Sequence, residues 1–135
     1  MEIKKIRDLS LISIGDNKKM VIDCDNCGGI GMKAMDELKV PPFYVGRFTT
    51  RVALLEVLST GAEVITITNT IYNEMELTGN NIIKGILEEF KKRLKRYNPY
   101  RKAVPTLADK SAIGSTTEVD LTINSLASKD LLNAI

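Results

Sequence analysis

The sequence contains no histidine, only two cysteines and 5% aromatic residues. Without histidine, the Ser/His/Asp and Cys/His nucleophile arrangements and histidine-ligated zinc are excluded. Cys24 and Cys27 are too few for a disulfide framework. No apolar run approaches the roughly 18 residues needed to cross a bilayer, so no membrane partner is expected. The opening residues 1–5 lack the apolar stretch of a signal peptide, so a cytoplasmic protein is expected. Neither sign of charge dominates: Lys and Arg number 19 against 17 Asp and Glu, a net charge of +2. That balance is no basis for nucleic-acid or membrane binding, and any basic surface must be local.

What is present is ordinary for one compact core: 135 residues, 44% apolar and 27% charged, read as a single domain over 1–135. Residues 9–14 and 20–24 are β-favouring runs around Gly15-Asp16-Asn17-Lys18-Lys19, which predicts a hairpin. Residues 25–42 hold Gly28, Gly29, Gly31 and Pro41-Pro42, which predicts a long loop. Apolar residues recur at helical spacing on more than one face of 43–60, the pattern of a mostly buried helix. The β-branched alternation over 62–72 predicts a strand that packs against that helix. Ile82, Ile83, Ile86, Leu87, Phe90 and Leu94 make an amphipathic helical stripe over 79–97, with Glu88, Glu89, Lys91, Lys92 and Lys95 off it. Beyond Pro99 the pattern weakens, although 112–114 and 119–126 read as strands around a polar turn. The apolar residues 130–135 suggest that a following element is missing, as in a fragment or a truncated relative.

Several residues carry chemistry. Asp23 and Asp25 end a strand beside Gly28, Gly29 and Gly31. Carboxylates next to a glycine loop suit a magnesium-phosphate ligand, while the same residues could serve to cap a tight turn. Gly29-Ile-Gly31-Met-Lys-Ala34 fits a relaxed dinucleotide pattern, but too few residues precede Pro41 for the crossover helix such a site needs. Cys24-Asp-Asn-Cys27 has the spacing of half a zinc site or of a redox pair. The other ligands are lacking and no helix start follows, so both cysteines read as small core or loop residues. Glu56 interrupts the apolar run Val52-Ala-Leu-Leu-Glu56-Val-Leu58 without a cation three or four residues away. Either it meets a metal, ligand or distant base, or it lies on a helix edge facing water. Lys91, Lys92, Arg93, Lys95, Arg96, Arg101 and Lys102 form a basic cluster. With few aromatics interleaved, a solvated helix end complementing the dipole is favoured over nucleic-acid contact.

With these residues assembled, the sequence resembles the amino-terminal domain of the superfamily of aminoimidazole ribonucleotide synthetase, thiamine-monophosphate kinase, selenophosphate synthetase and the hydrogenase-maturation dehydratase. Within it, the α-ribazole kinases of cobalamin salvage look nearest. The resemblance is carried by Val21-Ile-Asp-Cys-Asp25, Gly28-Gly-Ile-Gly31 with Lys33, Lys39-Val-Pro-Pro42, Val45-Gly46 and Arg51-Val-Ala-Leu-Leu-Glu56-Val-Leu-Ser-Thr-Gly61-Ala62. A looser block covers Asn69-Thr70, Glu74-Met-Glu76, the helix after Gly79, and Gly114-Ser-Thr-Thr-Glu118.

The resemblance implies an α/β (α+β) fold: a small mixed β-sheet with helices on one face, two sheets closing a barrel across a homodimer. It implies ATP and Mg²⁺ as cofactors. Asp25 and Glu56 stand at the family's metal-binding positions, and Lys33, with Gly29 and Gly31, in the segment that approaches ATP phosphates. Gly114, Thr116 and Glu118 match the loop that closes on the nucleotide. Asn69 stands where many relatives have Asp and Ser115 where several have Asp or Glu, and the expectation is that these 135 residues lack the family's carboxy-terminal domain. The function implied is a Mg-ATP-binding domain of a small-molecule kinase acting on the hydroxyl of α-ribazole or a similar nucleoside. The alternative is a non-catalytic dimerisation or regulatory module.

Overall fold

A computed structural model describes residues 2–94, 106–108 and 116–128. The chain opens with three antiparallel strands: β1 (Ile3–Ile6), β2 (Leu9–Gly15) and β3 (Lys18–Gly28). Asp16 and Asn17 both take positive φ, 47° and 57°, the pair of left-handed residues that joins β2 to β3 with the twist a hairpin needs. Two short strands, β4 (Ile30–Gly31) and β5 (Leu38–Lys39), pair in parallel and lead into α1 (Pro42–Ser59). Pro42 starts that helix where its missing N–H costs nothing. Then follow β6 (Glu63–Ile71), a π-type turn at Met75–Gly79, α2 (Asn80–Leu94), β7 (Thr106–Ala108) and β8 (Glu118–Ser128).

The main sheet has six strands in the order β1-β2-β3-β8-β6-β7, antiparallel except for the β6–β7 pair. Both helices cover one face. Val21, Ile67, Ile71, Val119, Leu121 and Ile123 from the sheet meet Leu54 and Val57 of α1 and Ile82 and Ile86 of α2, all exposed by 1% or less. This is the helix-on-one-face α+β arrangement expected from the sequence, and its strand alternation sets which residues of each strand face the helices. The two helices pack closely because Gly46 and Gly85 meet backbone: a Cβ on Gly46 would lie 2.1 Å from the Ile82 carbonyl oxygen, and one on Gly85 1.9 Å from that of Phe43.

Four expectations change. The predicted loop over 25–42 is partly strand, because β3 runs unbroken to Gly28 on its β8 partner and carries Asp25 in the ladder rather than in a turn. The helix α1 is buried on one side only: Tyr44, Phe48, Val52 and Leu55 are each 43–49% exposed. It lies on β3 and β8 more than on β6, the strand that follows it. Glu89, placed off the apolar stripe by its charge, is fully buried. The short β7 was not anticipated, since three residues on a parallel edge carry little pattern. Strand 112–114 and helix residues 95–97 lie outside the described residues.

Candidate functional site

Pairing between β2 and β3 begins at Ser10–Ile22, so β3 continues past the end of its neighbour. Around that stretch opens a cleft of about 740 Å³, lined by Asp8, Asp23, Asp25, Asp120, and from α1 Val52 and Glu56. Lys5 is the one basic side chain among its lining residues, so carboxylates dominate it. Asp25 and Glu56, the two candidate metal ligands, are thus brought to one cleft by β3 and α1. Asp25 is half-buried, and its Oδ1 accepts a bond from the Asn26 N–H at 2.9 Å. Asp23 shares the Val21 side of β3, beneath the helix layer, and is 2% exposed. Its Oδ1 has no hydrogen-bond partner among the described residues. Burial and the neighbouring Glu56 push its pKa up to about 6, with Asp25 and Asp8 adding to the repulsion and the Cys24 backbone N–H opposing it.

A second group gathers where β3 ends and β8 begins. Asp36 is 4% exposed and accepts three bonds: from the Thr117 N–H at 2.7 Å, the Thr117 hydroxyl at 2.7 Å and the Lys33 N–H at 2.8 Å. Burial would raise its pKa, but these donors hold it below the usual carboxylate range. Gly31 belongs to this contact: a Cβ there would meet Thr117 Oγ1 at 1.9 Å. Gly29 adopts φ +72°, and its N–H donates to the Thr117 carbonyl at 3.0 Å. Asn73, fully buried, clamps the start of β8 by donating to the Thr116 carbonyl at 2.7 Å and accepting from the Glu118 N–H at 2.9 Å. The Lys33 ammonium donates to Glu74 Oε2 at 2.5 Å. Lys33, Gly29, Gly31, Thr116 and Glu118 therefore lie at one end of the sheet, while Asp25 and Glu56 lie in the cleft beside β3. Gly114 and Ser115 lie outside the described residues. Asp36, Thr117 and Asn73 were missed by the sequence reading; the buried polar type of each was visible, its partner was not.

Cys24 and Cys27 are even and odd positions of one strand whose pairing with β8 has no register shift, so their side chains point to opposite sheet faces. Cys24 is exposed and its Sγ lies 2.9 Å from the Thr122 hydroxyl, whereas Cys27 packs against the core with its thiol pKa pushed up by burial. A shared metal or a disulfide between them is excluded. Of the basic cluster, Lys91 and Lys92 are exposed in the last turn of α2, but Arg93 is paired with Glu89 at 2.8 Å. The remaining members lie outside the described residues.

No family model matches the sequence, and no curated protein matches it. Solved structures do match in fold. Phosphoribosylformylglycinamidine synthase II from Thermotoga maritima superposes with TM-score 0.58 at 11% identity, over 91% of this chain and 20% of that one. Thiamine monophosphate kinase from Aquifex aeolicus gives 0.57 at 12% identity, over 91% and 38%. The T. maritima PurL complexed with ATP gives 0.51 at 13% identity, over 91% and 20%. The chain shares its fold with part of each of these chains. It spans between a fifth and two fifths of the length of these chains. At such identities the likeness establishes the fold.

Magnesium is implied by the resemblance read from the sequence, and the cleft's donors suit it. They are oxygens of hard carboxylates, and the buried Asp23 Oδ1 is an acceptor without a partner among the described residues. Among the described residues no group of three or more acidic or Cys side chains is gathered to hold a metal ion. Mg²⁺ sites that use one or two carboxylates and complete the shell with phosphate oxygens and water do not need such a cage. Among the described residues no helix is long and apolar enough to cross a membrane.

Proposed function

We propose that this chain is the Mg-ATP-binding domain of a small-molecule kinase, with Asp25 and Glu56 holding the metal. The observation that carries this reading is the placement of these two carboxylates, from β3 and α1, in one acidic cleft on a fold shared with a kinase chain and with an ATP-complexed chain. Bound Mg²⁺ would supply charge neutralisation at the phosphate oxygens during phosphoryl transfer. The chain's own residues do the rest. Asp25 and Glu56 orient the metal, and Lys33 exchanges its Glu74 partner for phosphate. The segments of Gly29, Gly31 and of Gly114, Thr116 and Glu118 enclose the nucleotide. The phosphoryl acceptor is the hydroxyl of a nucleoside such as α-ribazole, held with help from a further domain. The sheet face not covered by helices closes against a second copy to form a homodimeric barrel, and the protein works in the cytoplasm.

Calorimetric titration of ATP with Mg²⁺ tests this reading. Wild-type protein binds ATP in a Mg²⁺-dependent manner, and Glu56→Gln weakens binding at least tenfold. Equal affinity in the two proteins would overturn the role of Glu56. The second reading, a dimerisation module without turnover, is favoured by the Lys33–Glu74 ion pair, which occupies the cation assigned to phosphate. It predicts a dimer in sedimentation that does not bind ATP.

A further inference from the structure

We infer that Asp23, to which the resemblance assigns no role, is itself a cation-holding carboxylate of the cleft. The inference deepens the metal-nucleotide reading and rests on it for the use of the cleft. Three acidic side chains in the described residues are deeply buried: Asp23, Asp36 and Glu89, at 2%, 4% and 0% exposure. Two of them are fully provided for. Asp36 takes three hydrogen bonds from Thr117 and Lys33. Glu89 takes bonds from Arg47, Arg51 and Arg93. Of the three, Asp23 alone has an oxygen that is buried and unpartnered among the described residues, and the cleft it lines carries Asp8, Asp25, Asp120 and Glu56 against one basic side chain, Lys5.

An ionised carboxylate withdrawn from water among like charges is costly unless a positive group answers it. No Lys or Arg forms a salt bridge with it among the described residues, where the ion pairs run to Glu74 and Glu89. Asp23 lines the cleft, so a cation entering there reaches it. The donor type selects a hard divalent cation. Cys24 is the one thiol among the lining residues and its Sγ is paired with the Thr122 hydroxyl at 2.9 Å, while five carboxylates line the same cleft, which favours a hard cation over a thiolate-loving metal. Asp23, Asp25 and Glu56 are not gathered closely enough to ligate one ion together, so Asp23 holds the cation with at most one of them, and phosphate oxygens or water complete the shell.

The test uses Mn²⁺ as probe, with free ion counted by electron paramagnetic resonance, on wild-type protein, Asp23→Asn and Asp23→Thr, each with and without ATP. Thermal midpoints in EDTA are measured in parallel. The expected result is that both variants melt higher than wild type in EDTA, because the repulsion is gone, and bind Mn²⁺ at least tenfold more weakly. Wild-type Mn²⁺ affinity in either folded variant would overturn the role of Asp23 while leaving the nucleotide reading in place. Wild-type protein that binds Mn²⁺ through Asp23 but gains no affinity for ATP would overturn the nucleotide reading and leave Asp23 standing. Absence of Mn²⁺ binding by wild type under both conditions would overturn both.

Discussion

The ammonium of Lys33 lies 2.5 Å from Glu74 Oε2, and Glu74 also accepts a bond from the Thr78 hydroxyl. The lysine assigned to phosphate is therefore already committed to a carboxylate whose pKa, despite the upward push of burial, is held down by Lys33 and Thr78. Both side chains are about a quarter to a third exposed, so the pair is a modest one. Glu74→Gln removes the competing charge and keeps an acceptor for Thr78. ATP affinity is expected to rise by up to about fivefold, the size of an exposed ion pair, and Lys33→Ala to lower it; calorimetric titration reads both.

Glu89 anchors α2 to α1. It accepts from Arg47 at 2.9 Å, from Arg51 at 2.8 and 3.1 Å, and from Arg93 at 2.8 Å. Glu89→Ala leaves three guanidinium groups facing each other over a buried gap. Urea denaturation should show a loss of about 3–5 kcal/mol, the usual cost of removing one partner from a buried ion pair. A loss below about 1 kcal/mol would mean that the arginines rearrange into solvent.

Stability in cation-free buffer should respond to pH in two windows of opposite sign. Burial pushes the Glu89 pKa upward, but bonds from Arg51, Arg93 and Arg47 win and hold it at about 2, below its ordinary 4.5. Its contribution is complete above pH 4.5 and is lost as pH falls towards 2. Asp23 is shifted the other way, from 3.8 to about 6, so its ionisation opposes folding. That cost is absent below about pH 3.8 and grows as pH rises through 6. Melting curves across pH 3–8 should show Asp23→Asn gaining on wild type between pH 4 and 7, and Glu89→Gln flattening the acid limb.

The Gly46–Gly85 crossing sets how close α1 and α2 come. Each Cβ would sit about 2 Å from a carbonyl oxygen of the other helix, so the backbone must move. Gly46→Ala and Gly85→Ala are each expected to cost about 1–3 kcal/mol, the scale of overpacking. The double variant should lose less than the sum, because one separation of the helices relieves both contacts. Equilibrium unfolding in urea measures all three.

The legible parts of the fold are those with local signals. The stripe from Ile82 to Leu94 marked α2, the β-branched run before Tyr72 marked β6, and Gly15-Asp16-Asn17 marked the hairpin turn. Positions decided by tertiary pairing were harder. Asn26, Cys27 and Gly28 have weak strand preference, yet β8 pairs with them and extends β3. Glu89 looks solvent-facing until Arg47 and Arg51 arrive from a helix some forty residues away. In the site, Glu56 was singled out because an acidic residue broke an apolar run, and it does line the cleft. Asp23 was noted beside Asp25, but its burial depends on which face of β3 lies under α1. The tie of Lys33 to Glu74 spans 41 positions and leaves no trace in spacing.

Mg²⁺-dependent ATP binding is read most directly from the thermal unfolding midpoint of the wild-type protein in millimolar ATP, with and without Mg²⁺. A ligand at about 100 times its dissociation constant adds roughly 2.7 kcal/mol to the native state. The midpoint is expected to rise with ATP only when Mg²⁺ is present, and to rise less in Glu56→Gln. A midpoint unchanged by ATP and Mg²⁺ together would contradict Mg²⁺-dependent ATP binding.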